Sequence, residues 1–121
     1  MFDLHNCFDF DWLAIHGNGD IRLAFIPNVT HGGGYLPIVI HAKSVKRFGL
    51  SHNFGPATVT DLDEIGYKSS DDNDDNWLLS QSQATDKDDM FFRFNDGHYV
   101  RFHSEHAWLI ENSEFRCNGV P

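Results

Sequence analysis

Long apolar runs, cysteine, proline and basic residues are all scarce in this chain of 121 residues. No apolar run approaches the roughly 20 residues that a membrane helix requires, so we expect no membrane partner. Two cysteines are weak evidence for a disulfide framework. Nine lysines and arginines against 18 acids give a net charge of −9. Such a chain is poorly suited to hold phosphates, and we expect no nucleic-acid partner.

The N-terminus and the composition set the expected compartment and size. Met1–Leu4 has neither a basic start nor a following apolar stretch, so we expect no signal peptide and a cytoplasmic location. Cys7 and Cys117 are then expected to be free thiols. Length and a hydrophobic content of 40% predict one domain over residues 1–121. The eleven phenylalanines are expected to be the main core residues.

Two β-hairpins are predicted, one near each end of the chain. The first joins Phe8–His16 to Ile21–Ile26 through a glycine-containing turn. The second joins Met90–Phe94 to His98–His103 through Asn95–Gly97, and an Asp-Gly turn between such flanks is a strong hairpin signal.

Between the hairpins the pattern favours a helix. Apolar or small residues recur at helical spacing at Ile38, Ala42, Val45 and Phe48 or Gly49. The predicted helix covers residues 37–49 and opens on a proline, which suits a first helical turn. A strand over residues 36–41 is the alternative, because the residues there are largely β-branched.

Two shorter strands complete the predicted fold. They are Thr58–Thr60, followed by a helix-like start at Asp61, and Ala107–Glu111, which extends the second hairpin into a meander. The predicted fold class is α+β, with a mainly antiparallel β-sheet, N- and C-terminal hairpins and one or two short helices.

Most of the negative charge lies in one segment, residues 61–89. This segment holds ten acids against two lysines, which is −8 of the net −9. A concentrated negative surface speeds encounter with a basic protein and repels nucleic acid and anionic membranes. The alternative is a solvated loop that has no partner.

The acidic segment supplies the candidate partner-binding residues. Trp77 follows the densest acidic run, and tryptophan beside charge is typical of an interface anchor, although it is also typical of a tether to the core. The predicted binding residues are Tyr67, Asp71, Asp72, Asp74, Asp75, Trp77, Asp86, Asp88 and Asp89. Arg93 and Arg101 are expected to pair with neighbouring acids rather than to bind phosphate.

Metal and catalytic sites are weakly indicated. The acidic run has no EF-hand glycine or final glutamate in either frame, so we predict no calcium site. His98, His103 and His106 lack zinc-site spacing, although a small histidine-rich metal-binding protein or hydrolase is the alternative function. The glycine-rich loop after His31 lacks the Gly-x-Ser-x-Gly partner of a hydrolase. We therefore expect no cofactor, no metal and no enzymatic activity.

One resemblance bears on function. The run Asp11–Ile15, followed by Gly19, Phe25, a glycine-rich loop and Pro37, resembles the start of small bacterial proteins that begin DWxAxD…G…F…G…P. Tyr99–Arg101 is similar to part of their C-terminal halves. Some members of this group resemble immunity proteins of toxin systems. The resemblance implies an immunity protein. Together with the concentrated negative charge, it leads us to expect a protein that neutralises a toxin domain, most concretely a basic nuclease, by direct binding.

Overall fold

The computed structural model describes residues 7–30, 33–72, 77–80 and 82–110, with the backbone alone at 105, 106 and 108–110. The six strands are β1 (Phe8–Ile15), β2 (Ile21–Pro27), β3 (Ile38–Leu50), β4 (Leu62–Lys68), β5 (Asp89–Phe94) and β6 (Tyr99–Ile110). Several residues named above lie outside the described residues: His31, Asp74, Asp75, the side chain of His106, and Cys117.

All six strands belong to one antiparallel sheet with the order β1-β2-β3-β6-β5-β4. The two outer strands of this order meet at one point. Asp9 of β1 bridges Asp61, and the Phe10 amide donates to the Thr60 carbonyl oxygen at 2.7 Å. The sheet therefore curls around its inner face, and that face becomes the core.

Phenylalanine fills the core, as the sequence predicts. Phe92 and Phe94 point inward from β5, because side chains alternate along a strand. The Phe94 ring lies 6.1 Å from Phe25 and 5.9 Å from Phe10, and Phe92 stacks on Phe102 at 5.7 Å. Each buried phenylalanine contributes roughly 2–3 kcal/mol of transfer free energy. Strands from both predicted hairpins thus contribute to the same core.

Both predicted hairpins are confirmed. Ile15 pairs with Ile21 in the first, where Gly19 adopts a φ of 90° that glycine tolerates. Arg93 pairs with Tyr99 in the second, across a single 3-10 turn at Asn95–Gly97. The returning strand continues without a break to Ile110, so the separate strand predicted from Ala107 is the end of β6.

The helix predicted for residues 37–49 is wrong. This stretch is β3, a 13-residue strand between β2 and β6. Ala42, Val45 and Phe48 do share the core side, but two irregularities produce that spacing. Ser44 has a φ of 55°, and the register shifts between Val45 and Arg47. The register shift adds one residue to β3 relative to β6, and across Ser44 the core-facing residues Ala42 and Val45 are also three apart, which gives an apparent period of three.

Two smaller predictions also fail. Thr58–Thr60 forms a turn and loop instead of a strand, with Val59 buried against the core. The helix-like start predicted at Asp61 leads instead into β4. In the described ranges the only helical element is the 3-10 turn, so the mainly antiparallel sheet is confirmed and the α+β label is not. No helix among these residues has the length and apolar character to cross a membrane.

Candidate functional site

The acidic loop, residues 69–88, connects β4 to β5, and its described parts (69–72, 77–80 and 82–88) lie on the outward side of the sheet. Gly66 of β4, Phe91 of β5 and Arg101 of β6 are register neighbours on this side. Gly66 leaves room for Leu78, whose Cβ would lie 2.6 Å from a Cβ added at Gly66. Leu79 forms a backbone bridge with Tyr67, with N–H···O distances of 2.9 and 2.8 Å in the two directions. The loop is therefore attached to the sheet at its middle.

Arg101 holds the start of the acidic loop. Its Nη2 donates to the Ser69 carbonyl oxygen at 2.9 Å and its Nη1 to the Asp72 carbonyl oxygen at 2.8 Å. Its Nε donates to Asp89 Oδ2 at 2.9 Å, and its guanidinium lies 5.5 Å from the centre of the Phe91 ring. The planar guanidinium of Arg101 thus joins both ends of the loop through charge-assisted hydrogen bonds.

Asp89 closes the other end of the loop. It is only 4% exposed, and a buried carboxylate requires paired partners. Arg101 supplies one, and Arg47 supplies the second through Nη2–Oδ1 at 2.8 Å. The same Arg47 Nη2 donates to the Lys87 carbonyl oxygen at 3.0 Å. Asp89 therefore does not lie on the surface, where the sequence analysis places it.

Lys68 acts as a second internal cation. It is 2% exposed, and its Nζ donates to the Trp77 carbonyl oxygen at 2.5 Å. The Asp72 carboxylate lies 3.5 Å from the same nitrogen. The Phe91 ring centre is 6.0 Å away, within range of a cation–π contact. Burial of this ammonium is balanced by a carbonyl, a carboxylate and an aromatic face.

The last part of the loop is held by His103. Its Nε2 lies 2.8 Å from the Asp86 carbonyl oxygen, which accepts only, so Nε2 carries the proton. Local bonds shape the same turn, since the Thr85 amide donates to Asp88 Oδ2 at 2.9 Å and the Asp88 amide to the Thr85 carbonyl oxygen at 3.2 Å.

These contacts attach the loop to the sheet mainly through the backbone carbonyl oxygens of the loop. Side chains of the sheet capture five loop carbonyl oxygens, those of Ser69, Asp72, Trp77, Asp86 and Lys87. Among the described loop residues, this attachment leaves the side chains of Asp71, Trp77 and Asp86 exposed. The loop also has fewer conformations to lose when a partner binds.

The candidate binding residues are therefore not equivalent. Asp71 and Asp86 are exposed, whereas Asp72 and Asp88 are half-buried. Trp77 is 66% exposed, so it is Leu78, not Trp77, that tethers this stretch to the sheet. Tyr67 lies in β4, where burial raises the pKa of its phenol.

Sequence reasoning missed the internal cations Lys68 and Arg47. The alternation of Val100, Arg101 and Phe102 does place Arg101 on the outward side, and its predicted pairing with an acid is confirmed. Arg93 pairs as expected as well, with Glu64 at 2.7 Å. No local pattern identifies the carbonyl oxygens that these side chains bind, because the contacts span 9 to 40 residues.

His98 and His103 of the second hairpin have different partners. His98 Nδ1 lies 3.2 Å from Ser51 Oγ, whereas His103 contacts the acidic loop. Among the residues with described side chains, no group of three or more histidines, cysteines or acids is arranged to hold a metal ion.

Comparisons of the chain with family models, curated proteins and solved structures find no match. The functional proposal therefore depends on the geometry and charge of the acidic loop.

Proposed function

We propose that this protein is an acidic binding protein that recognises a basic protein partner through its acidic loop. The proposal is carried by one observation: side chains of the sheet form hydrogen bonds to five carbonyl oxygens of the loop. This arrangement fixes the loop while its outer side chains stay in solvent. A loop with no partner gains nothing from such an arrangement beyond its own stability.

Charge supports the choice of a basic partner. Three cations beside the loop, Arg47, Lys68 and Arg101, are already engaged with carbonyl oxygens and with Asp72 or Asp89, whereas Lys87 within the loop is exposed. The exposed carboxylates of Asp71 and Asp86 therefore face solvent beside cations that are already paired. Their field attracts lysines and arginines, and the attraction weakens as salt shortens the Debye length.

Trp77 supplies the second part of the proposed surface. Its side chain is exposed although its carbonyl oxygen is fixed by Lys68. A large aromatic ring on a fixed backbone loses little entropy when a partner covers it. The ring provides desolvated contact, and the nearby acids provide attraction and orientation.

The most concrete form of the proposal is a cytoplasmic immunity protein for a bacterial nuclease toxin. A nuclease grips phosphate with lysines and arginines, and an acidic loop competes for the same groups. The mechanism is steric and electrostatic and involves no catalysis by this chain. The resemblance of Asp11–Ile15 and Tyr99–Arg101 to small bacterial proteins supports this form.

A first experiment locates the surface with a defined probe. The backbone amides of the ¹⁵N-labelled protein are followed by NMR while nona-arginine is added at low salt. We expect shifts concentrated in residues 69–88 and around the Trp77 indole, and their loss at high salt. Shifts spread evenly over the molecule contradict a localised surface.

A second experiment tests the immunity function. The proposal predicts a toxin with a nuclease-like C-terminal domain in the open reading frame immediately upstream, and the experiment mixes that domain with this protein. We expect a stable complex and loss of nuclease activity. Unchanged activity in an excess of this protein refutes the immunity function, and the nona-arginine result then decides whether the broader binding function remains.

A further inference from the structure

Among the described residues, no strand pairs with the outer edge of β1 over residues 11–15. The start of β1 meets the opposite outer strand through the Asp9–Asp61 bridge and the amide of Phe10. From Asp11 onward, within the described part of the chain, β1 pairs with β2 alone. An open edge presents unpaired N–H and C=O groups and is a ready template for another strand.

The direction of each backbone group follows from the hairpin. The His16 amide donates to the Asp20 carbonyl oxygen at 2.9 Å, so His16 points toward β2. Backbone groups alternate along an antiparallel strand, which turns Ala14 toward β2 as well. Leu13 and Ile15 therefore direct their N–H and C=O groups to the open side, where they offer four hydrogen-bonding groups.

We propose that two copies of this chain associate through this edge, antiparallel, around a two-fold axis at Ala14. In this register Leu13 of each copy lies opposite Ile15 of the other copy. The two pairs make four backbone hydrogen bonds and join the two sheets. The contact is isologous, so the same edge serves both copies.

The side chains of this edge are self-complementary in that register. Leu13 and Ile15 share the inner side, and Ile15 is 60% exposed in a single chain, so the pairing covers apolar surface. Trp12 is 40% exposed on the outer side and comes opposite His16 of the second copy. Ala14 lies on the axis, where non-hydrogen-bonded residues approach to roughly 4.5 Å between Cα atoms. A small side chain suits that position.

Charge also favours a second copy. Asp11 lies beyond the regular stretch, at the register shift between Phe10 and Trp12, and does not meet its own counterpart, because its neighbour Trp12 is opposite the exposed His16 of the other copy. Of the net charge of −9, −8 belongs to residues 61–89 and not to β1. The remaining long-range repulsion between copies is screened by salt. Self-association is therefore expected to strengthen with salt, opposite to the binding of a basic partner.

The experiment is sedimentation equilibrium of the full chain. A short edge buries less than a standard interface of about 1,600 Å², so we expect weak association, with a Kd of roughly 0.1 mM. The average mass is expected to rise from 13.8 kDa toward twice that value between roughly 10 µM and 1 mM. A mass that stays at 13.8 kDa over this range at high salt overturns the proposal.

Two variants test the edge by different means. Ile15→Pro removes an outward N–H, a change that an edge strand tolerates. In Ala14→Glu the new carboxylate lies opposite Arg22 of its own chain. In the dimer the two copies would place two negative charges next to each other at the two-fold axis. Each variant is expected to weaken association at least tenfold. Ala57→Glu, at an exposed loop alanine, carries the same charge change and is expected to associate like the wild type.

If Ile15→Pro fails to fold, Ala14→Glu alone decides, since it leaves the backbone unchanged. Association that persists in Ala14→Glu overturns the proposal. Isotope-filtered NOEs in a mixture of labelled and unlabelled chains give the register directly. Intermolecular NOEs between Leu13 and Ile15 support it, and intermolecular NOEs confined to other strands contradict it.

Discussion

At the scale of single residues, Arg101 links the acidic loop to the sheet. Its guanidinium bonds two loop carbonyl oxygens and the buried carboxylate of Asp89, which Arg47 also contacts. A buried ion pair costs desolvation, and breaking it leaves an uncompensated charge. The second arginine limits that damage, because Asp89 retains one partner when Arg101 is changed.

Arg101→Gln is therefore expected to lower the free energy of unfolding by about 2–3 kcal/mol. Arg93→Gln is the matched control, because its partner Glu64 is half-exposed, and we expect a loss of about 1 kcal/mol or less. Urea unfolding at neutral pH measures both. Equal losses for the two variants contradict the special role of Arg101.

Arg101→Gln also distinguishes the effect of net charge on binding from the effect of an ordered acidic loop. Arg101→Gln makes the protein more acidic, so attraction alone predicts tighter binding of a cationic probe. We expect weaker binding of nona-arginine instead, by roughly threefold to tenfold. The reason is that the loop loses the two hydrogen bonds from Arg101 to its carbonyl oxygens and becomes more disordered before binding. Isothermal titration calorimetry measures the affinity. Tighter binding shows that organisation of the loop is unimportant.

His41 is a buried polar residue on the outward side of β3. Burial lowers the pKa of its imidazole below 6.5, and the charge of Arg22 acts in the same direction. Asp20, whose carboxylate lies 3.6 Å from Nε2, opposes the shift. In the unfolded chain the imidazole gains a proton at a higher pH than in the folded protein. Stability from this residue is therefore present above pH 6.5 and is lost as the pH falls below it.

His41→Gln is expected to reduce this pH dependence. The free energy of unfolding, measured in urea between about pH 7.5 and pH 5.5, should fall less in the variant than in the wild type. His16→Gln removes an exposed histidine and serves as the control. An unchanged slope in His41→Gln would falsify the assignment of this pH dependence to burial of His41.

At the scale of elements, packing of β4 against the loop depends on a missing side chain. A Cβ added at Gly66 would lie 2.6 Å from Leu78 Cβ and 3.0 Å from the Leu79 carbonyl oxygen. Neither atom can move without loss of the bridge between Leu79 and Tyr67. The absence of a side chain at Gly66 thus permits the acidic loop to lie on the sheet.

Gly66→Ala is expected to cost about 1–3 kcal/mol and to increase hydrogen exchange at the amides of Tyr67 and Leu79. Gly17→Ala is the control, since a Cβ there meets nothing within 4 Å. Native-state exchange monitored by NMR measures the local effect. Protection of both amides at the wild-type level in Gly66→Ala contradicts this account of the packing.

The elements also show what the sequence can and cannot predict. Both hairpins follow from local signals, namely alternation and turn residues. The first part of β3 follows from its β-branched residues, which favour the alternative strand over residues 36–41, but the rest does not, because Ser44 and the shift before Arg47 give it the spacing of a helix. The position of the acidic loop is likewise not local. Lys68 and Arg101 bind backbone carbonyl oxygens, which are present at every residue and carry no sequence signal.

At the scale of the whole molecule, charge is divided between the interior and the surface. Arg47 and Arg101 are used internally, and the exposed side chains of Asp71, Asp86 and Lys87 remain in solvent. The central claim is that a basic partner is recognised by the position of these acids in the loop, and not only by the net charge of −9. Two double variants with the same change of net charge distinguish these alternatives.

The decisive measurement is the affinity for nona-arginine of the double variant Asp71→Asn with Asp86→Asn, at low salt and low protein concentration. Its control is the double variant Asp11→Asn with Asp96→Asn, which neutralises two exposed acids outside the loop. We predict a loss of roughly fivefold to thirtyfold for the loop variant, about 1–2 kcal/mol, and less than about twofold for the control. Equal losses in the two variants would contradict recognition by the acidic loop.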